Sequence, residues 1–195
     1  MLKQLQNICR AGWLSFARSE TGVSAIEFVM VAPIIFFGLG MTLETGLMEF
    51  TQYSLQYAVE NAGRSVRTGS AQMTTMTAAN FKTLICNSFG TLVNCSSVTV
   101  YVRSDPDFAT MVQKLPPLIQ IGPATDPGTI SQPACFNPGN PSQPAIIVAT
   151  YDWYFVALGM STGFGNVAGN SARRLVGLSI FKNQAFPGSS SGACP

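Results

Sequence analysis

At 195 residues, with 47% hydrophobic and only 10% charged side chains, the chain is far too apolar to be disordered and fits one ordinary domain plus additional segments. Its net charge of +2 is confined to the start, where Lys3, Arg10 and Arg18 outweigh Glu20, and the eight basic and eight acidic residues after Gly22 cancel. With no folded-face cluster of Lys and Arg a nucleic-acid partner is excluded, and a count of zero histidines removes the commonest general base and metal ligand.

The first predicted element follows that basic leader. From Phe28 to Leu43 no residue is charged. Sixteen residues rise only about 24 Å, short of a hydrocarbon core of about 30 Å, so Val23 to Ile26 and Thr45 to Met48 are expected to complete a transmembrane helix over 23–48, with Glu27 and Glu44 buried or half-buried. Basic residues flank the run on its N-terminal side only, which places that end in the cytoplasm and the bulk of the chain outside. No Ala-x-Ala-like signal cleavage site follows the run. Pro33 removes a backbone donor near Val29, and Gly38, Thr42 and Gly46 recur at a spacing that lets a second helix approach.

The helix is expected to continue over 49–69. Leu55, Val59, Ala62 and Val66 form an apolar stripe of helical period, Glu60 and Arg64 have the spacing of an ion pair, and Gly69 is a stop. A helix from near Ser24 to Thr68, about 67 Å long, is thus half in lipid and half in water.

Residues 70–195 read as an extracytoplasmic α+β head. TAANFKTLICNS, Thr77 to Ser88, is a short helix with Thr77 as its cap. SVTVYVR (Ser97 to Arg103) alternates as a half-buried strand, and strands are also expected over Pro144 to Leu158 and Ala172 to Phe181. Together they imply a small antiparallel sheet against the helix. Between the first two strands, Ser104 to Pro144 holds nine of the twelve prolines and reads as a long surface loop without regular structure.

Four cysteines lie in the head, and four allow three pairings. Eight residues separate Cys86 from Cys95, a reasonable local bridge, which leaves Cys135 and Cys194 to join the loop to the C-terminus. An extracytoplasmic address makes both pairs oxidisable. Zinc is disfavoured because tight C-x-x-C pairs and histidines are missing. Asp105, Asp107, Asp126 and Asp152 have no phosphate cradle or nucleophile elbow around them. Asp105 and Asp107 read as turn residues, and Asp152 as bonded to backbone or to an arginine. No catalytic residue, cofactor or metal is expected.

The unusual feature lies before the apolar run. Gly22 joins the basic leader to VSAIEF, which puts Glu27 at the fifth position after the glycine. This pattern resembles the processing site of type IV prepilins. The order of GVSAIEFVMVAPIIFFGLGMTLETG, LQYAVENAGRSVRTGSAQ, FKTLICNSFGTLVNC, VTVYVR, IIVATYDWYF and RRLVGLSIFKNQAFP resembles, more closely, the TadE-like proteins of Tad (Flp, type IVb) pilus systems. The family's usual ending is Phe-Arg-Asn-Glu-Pro-Phe. Here Lys182 and Asn183 hold the pattern while Gln184 and Ala185 depart from it.

The resemblance implies a minor pilin or pseudopilin with residues 1–22 as a cytoplasmic leader, cut between Gly22 and Val23 by a dedicated prepilin peptidase. It implies residence in the bacterial inner membrane with the head in the periplasm, alongside other Tad pilins, pseudopilins and the assembly platform, and use in assembly or sparse incorporation into the filament. Cleavage would create a cationic amine on Val23, and in a bundle of such helices Glu27 of one subunit can meet the amine of the next, pairing both charges in a medium that penalises either alone. A different class of function is a membrane-anchored adhesin whose contact site is the Pro-rich loop over 104–144.

Overall fold

The computed structural model describes residues 23–89, 93–113, 135–156, 165 and 172–188, and the chain divides after Leu43 into two units. Helix α1 spans Val23–Arg67, through Pro33, as one element of 45 residues, and ends within a residue of the expected Thr68. In the first unit its side chains from Ser24 onward are almost all exposed. Gly38, Gly40 and Gly46 face open space.

In the second unit the same helix turns one stripe inward. Met48, Leu55, Ala58, Val59, Ala62 and Val66 are all buried, and each large aliphatic side chain so removed from water contributes about 1.5–3 kcal/mol. The stripe foreseen at Leu55 thus begins earlier, at Glu44 and Met48, inside the stretch that the sequence assigned to the bilayer. The helix stops where expected. Gly69 takes a φ of +82°, a left-handed conformation that favours glycine, and donates its N–H to Val66 O at 3.1 Å.

After the one-turn helix α2, Ser70–Met73, helix α3 spans Ala78–Phe89. Thr77 Oγ1 accepts the N–H of Asn80 at 3.2 Å, as its capping role requires. Phe81, Ile85 and Phe89 form its buried face. A 3-10 turn over Cys95–Ser97 occupies the expected start of the first strand, so β1 spans Thr99–Ser104. Strands β2, Pro144–Tyr154, and β3, Ala172–Lys182, complete an antiparallel sheet in the order β1-β2-β3.

Register gives the sheet two faces. Val102, Ala145, Ile147, Ala149 and Leu175 join α1 and α3 in the main core. Gly63 and Gly177 let helix and sheet approach closely, for a Cβ on Gly177 would come within 2.9 Å of Val59 Cγ2. On the other face Tyr101, Ile146 and Val148 form a second cluster with Met111 and Cys135. Strand β1 is therefore covered on both sides at Tyr101 and Val102, rather than half-buried as its alternation implied.

The Pro-rich segment also departs from expectation at both ends. Phe108–Gln113 forms helix α4, capped by Asp107, whose carboxylate accepts from Thr110 N–H at 2.8 Å and from its hydroxyl at 3.0 Å. At the far end Phe136 bridges Val102 in parallel. Val102 N–H donates to Cys135 O, and Asn137 N–H to Val102 O, each at 2.9 Å. The Phe136 bridge uses backbone groups that carry no residue signature, and the Asp107 cap reads from sequence equally as a turn. Residues 114–134, with Asp126, lie outside the described residues.

Candidate functional site: the apolar helix and its junction with the head

Of the expected processing and pairing residues, Gly22 lies outside the described residues, Val23 opens α1, and Glu27 follows one turn later, exposed. At that i, i+4 spacing, Glu27 is on the face of the helix that carries Val23. Beyond it, α1 is long and apolar enough to cross a membrane, and none of its most apolar window is buried.

The charge-free run ends at Glu44, which is only 8% exposed. Its carboxylate Oε1 accepts the backbone N–H of Val156, just past the end of β2, so a buried acid finds a donor. Two turns on, Gln52 Nε2 donates to Val176 O at 2.8 Å and Gln52 Oε1 accepts from Val176 N–H at 3.2 Å. Gln56 repeats this with Leu178, at 2.9 and 3.0 Å. Four helical residues rise about 6.0 Å and two strand residues about 6.6–6.8 Å, so glutamines at i, i+4 match strand residues at i, i+2. The two amides thus complete the outer edge of β3 as another strand would, covering groups that invite foreign pairing. From sequence their periodicity reads as an ordinary solvated helix face and gives no sign of this role. Gln56 also donates to Glu60 at 2.7 Å, and this contact takes the place of the expected Glu60–Arg64 pair because the amide is already fixed beside the carboxylate.

Two ion pairs stiffen the sheet. Arg174 makes a two-point contact with Asp152 directly across from it, Nε to Oδ1 at 2.7 Å and Nη2 to Oδ2 at 3.0 Å. Arg103 Nε meets Asp105 at 2.6 Å, which corrects the turn-residue reading of Asp105, a side chain 7% exposed. The hydrogen bond that each guanidinium donates to its carboxylate, opposed by burial, holds both guanidiniums above their ordinary pKa.

The C-terminal motif closes the second unit. Gln184 N–H donates to Arg67 O at 2.9 Å, satisfying a carbonyl in the last turn of α1. Asn183 is buried, and its amide donates to Pro138 O at 2.9 Å and to Asn140 O at 3.1 Å. Phe186 lies against Gly69, where any Cβ would fall 2.3 Å from its ring. The segment therefore ties the end of α1 to the end of the Pro-rich loop, and the work at position 184 is done by backbone, which accounts for the freedom of its side chain.

Cys86 and Cys95 form a disulfide with Cα atoms 5.7 Å apart, joining α3 to the 3-10 turn before β1. Cys135 is also half of a disulfide, and Cys194 lies outside the described residues. Among the described residues no cluster of acidic or sulfur ligands could hold a metal ion.

No curated protein and no solved structure matches the chain. Residues 22–64, from the glycine before α1 through the glutamine pair to the buried stripe, match the family model of TadE-like proteins, a likeness to the proteins of Tad pilus systems.

Proposed function

We propose that the chain is a minor pilin or pseudopilin that acts in assembly of a Tad (Flp, type IVb) pilus. A prepilin peptidase cuts it between Gly22 and Val23. Residues Ser24 to Leu43 then span the inner membrane, with the leader on the cytoplasmic side and the head in the periplasm. The observation that carries this reading is the family match itself, which runs from Gly22 to Arg64 and takes in a helix long and apolar enough to cross a membrane, with none of its most apolar window buried. Glu27, about 6 Å along the helix from Val23, is placed to accept the amine of a neighbouring pilin-type subunit, which offsets the cost of holding a carboxylate at the mouth of an apolar span. Its partners are the peptidase, other Tad pilins and pseudopilins, and the inner-membrane platform. No cofactor or catalytic residue belongs to this function, and the second disulfide is assigned to Cys135 and Cys194.

N-terminal sequencing of the protein recovered from membranes, with and without the cognate prepilin peptidase, tests the reading. A start at Val23 that depends on the peptidase is expected. An uncleaved chain in both preparations would leave a signal-anchored protein outside the pilin pathway.

A further inference from the structure

The apolar part of α1 from Ser24 to Leu43, in which Glu27 near the start is the one charged residue, is 20 residues long, about 30 Å, the thickness of a hydrocarbon core. Glu44 is the next residue, and it holds the N–H of Val156. Covalent continuity therefore puts Val156 at the level where the hydrocarbon ends. Tyr154 lies two residues back along β2, about 6.6 Å away, and the headgroup layer on each side of a bilayer is about 5–7 Å deep. Val156 is 90% exposed and Tyr154 60% exposed, and on α1 Leu47, one turn after Leu43, is also more than half exposed. Asp152, the carboxylate on β2, is already neutralised by Arg174, and Glu49, exposed on α1, is about 9 Å past Leu43, beyond the depth of that layer. An amphipathic aromatic such as tyrosine is favoured at membrane interfaces.

We propose that this rim of the head, Tyr154 and Val156 with Leu47, beds in the phospholipid headgroup layer of the membrane that α1 crosses. The proposal rests on the reading of Ser24 to Leu43 as the span. A head seated in this way holds the subunit at a defined height, and any machinery that lifts it must first break the lipid contact.

Single-tryptophan variants of the full chain in a Trp13→Phe, Trp153→Phe background test it, reconstituted in phosphatidylcholine vesicles with and without bromine on the acyl chains near the headgroup. Val156→Trp and Tyr154→Trp are expected to lose emission in the brominated vesicles. Tyr57→Trp, about 20 Å beyond Glu44 along the helix, should retain it. Quenching of Phe36→Trp without quenching of Val156→Trp overturns the lipid contact and leaves the span intact, and a blue-shifted, unquenched Val156→Trp would assign the rim to a protein partner instead. Failure to quench Phe36→Trp removes the span itself, and the proposal with it.

Discussion

Gly177 decides how closely the sheet can approach α1. A methyl group there would meet Val59 Cγ2 at 2.9 Å, Leu55 Cγ at 3.0 Å and the backbone oxygen of Leu55 at 3.1 Å, and a helix backbone cannot step aside as a side-chain tip can. Gly177→Ala is therefore expected to cost about 1–3 kcal/mol, the usual range for overpacking, read as a lower denaturation midpoint of the detergent-solubilised protein. The Asp152–Arg174 pair allows a finer test. Lysine at 174 keeps the charge but not the planar fork that meets both carboxylate oxygens, so Arg174→Lys should lose about 1 kcal/mol. Because each guanidinium pKa is raised by its carboxylate, the arginine contribution is complete below the unfolded-state value. It is lost only as pH rises through the still higher folded value. The difference between wild type and Arg174→Lys should thus be flat across the neutral range, and a loss there on raising pH would refute this account of the pair.

At the scale of elements, the glutamine pair does more than its sequence pattern declares. Each side chain must donate to one backbone group and accept from another on the same strand residue, so the amide orientation is forced by its partners. Gln52→Glu would keep the acceptor and set a carboxylate against Val176 O. It should destabilise the edge more than Gln52→Ala does, and each should raise amide hydrogen exchange at Val176 and Leu178. The truncation is expected to cost about 1–2 kcal/mol, since it leaves half-buried backbone groups unpaired. Opening the Cys86–Cys95 bridge should cost about 2–3 kcal/mol from the loop it closes, seen as a lower melting temperature of the Cys86→Ser, Cys95→Ser double variant. These cases show what a single sequence reveals. The buried stripe from Leu55 to Val66, the Thr77 cap, the Gly69 stop and the alternation in β1 follow from side-chain periodicity and backbone preference, so they are legible. The Phe136 bridge and the Gln184 contact depend on backbone groups of segments distant in the chain, whereas the Asp107 cap of α4 is local but reads equally as a turn. The glutamines face a strand more than a hundred residues away, and no local pattern separates them from a solvated surface.

For the molecule as a whole, the proposed processing and assembly would draw on different residues of one short stretch, and this separates their failures. Gly22 precedes the proposed cut, where a peptidase that grips the backbone has least room for a side chain. Glu27 lies five residues further on, exposed on α1, so it is free to act between subunits. Gly22→Ala should leave the chain uncut, and Glu27 would then lack its amine however many copies gather. Glu27→Gln should be cut normally and insert normally, because it removes a charge that opposes insertion. It leaves the new amine of a neighbour without a counter-charge, and an unpaired charge in a low-dielectric bundle costs more than the pair returns. Mature Glu27→Gln protein is therefore expected in the membrane at normal abundance, with strongly reduced co-purification of pilin partners and reduced piliation. Wild-type piliation with Glu27→Gln would instead mean that the carboxylate only reaches for headgroups, and that subunit pairing rests on the apolar surface of α1.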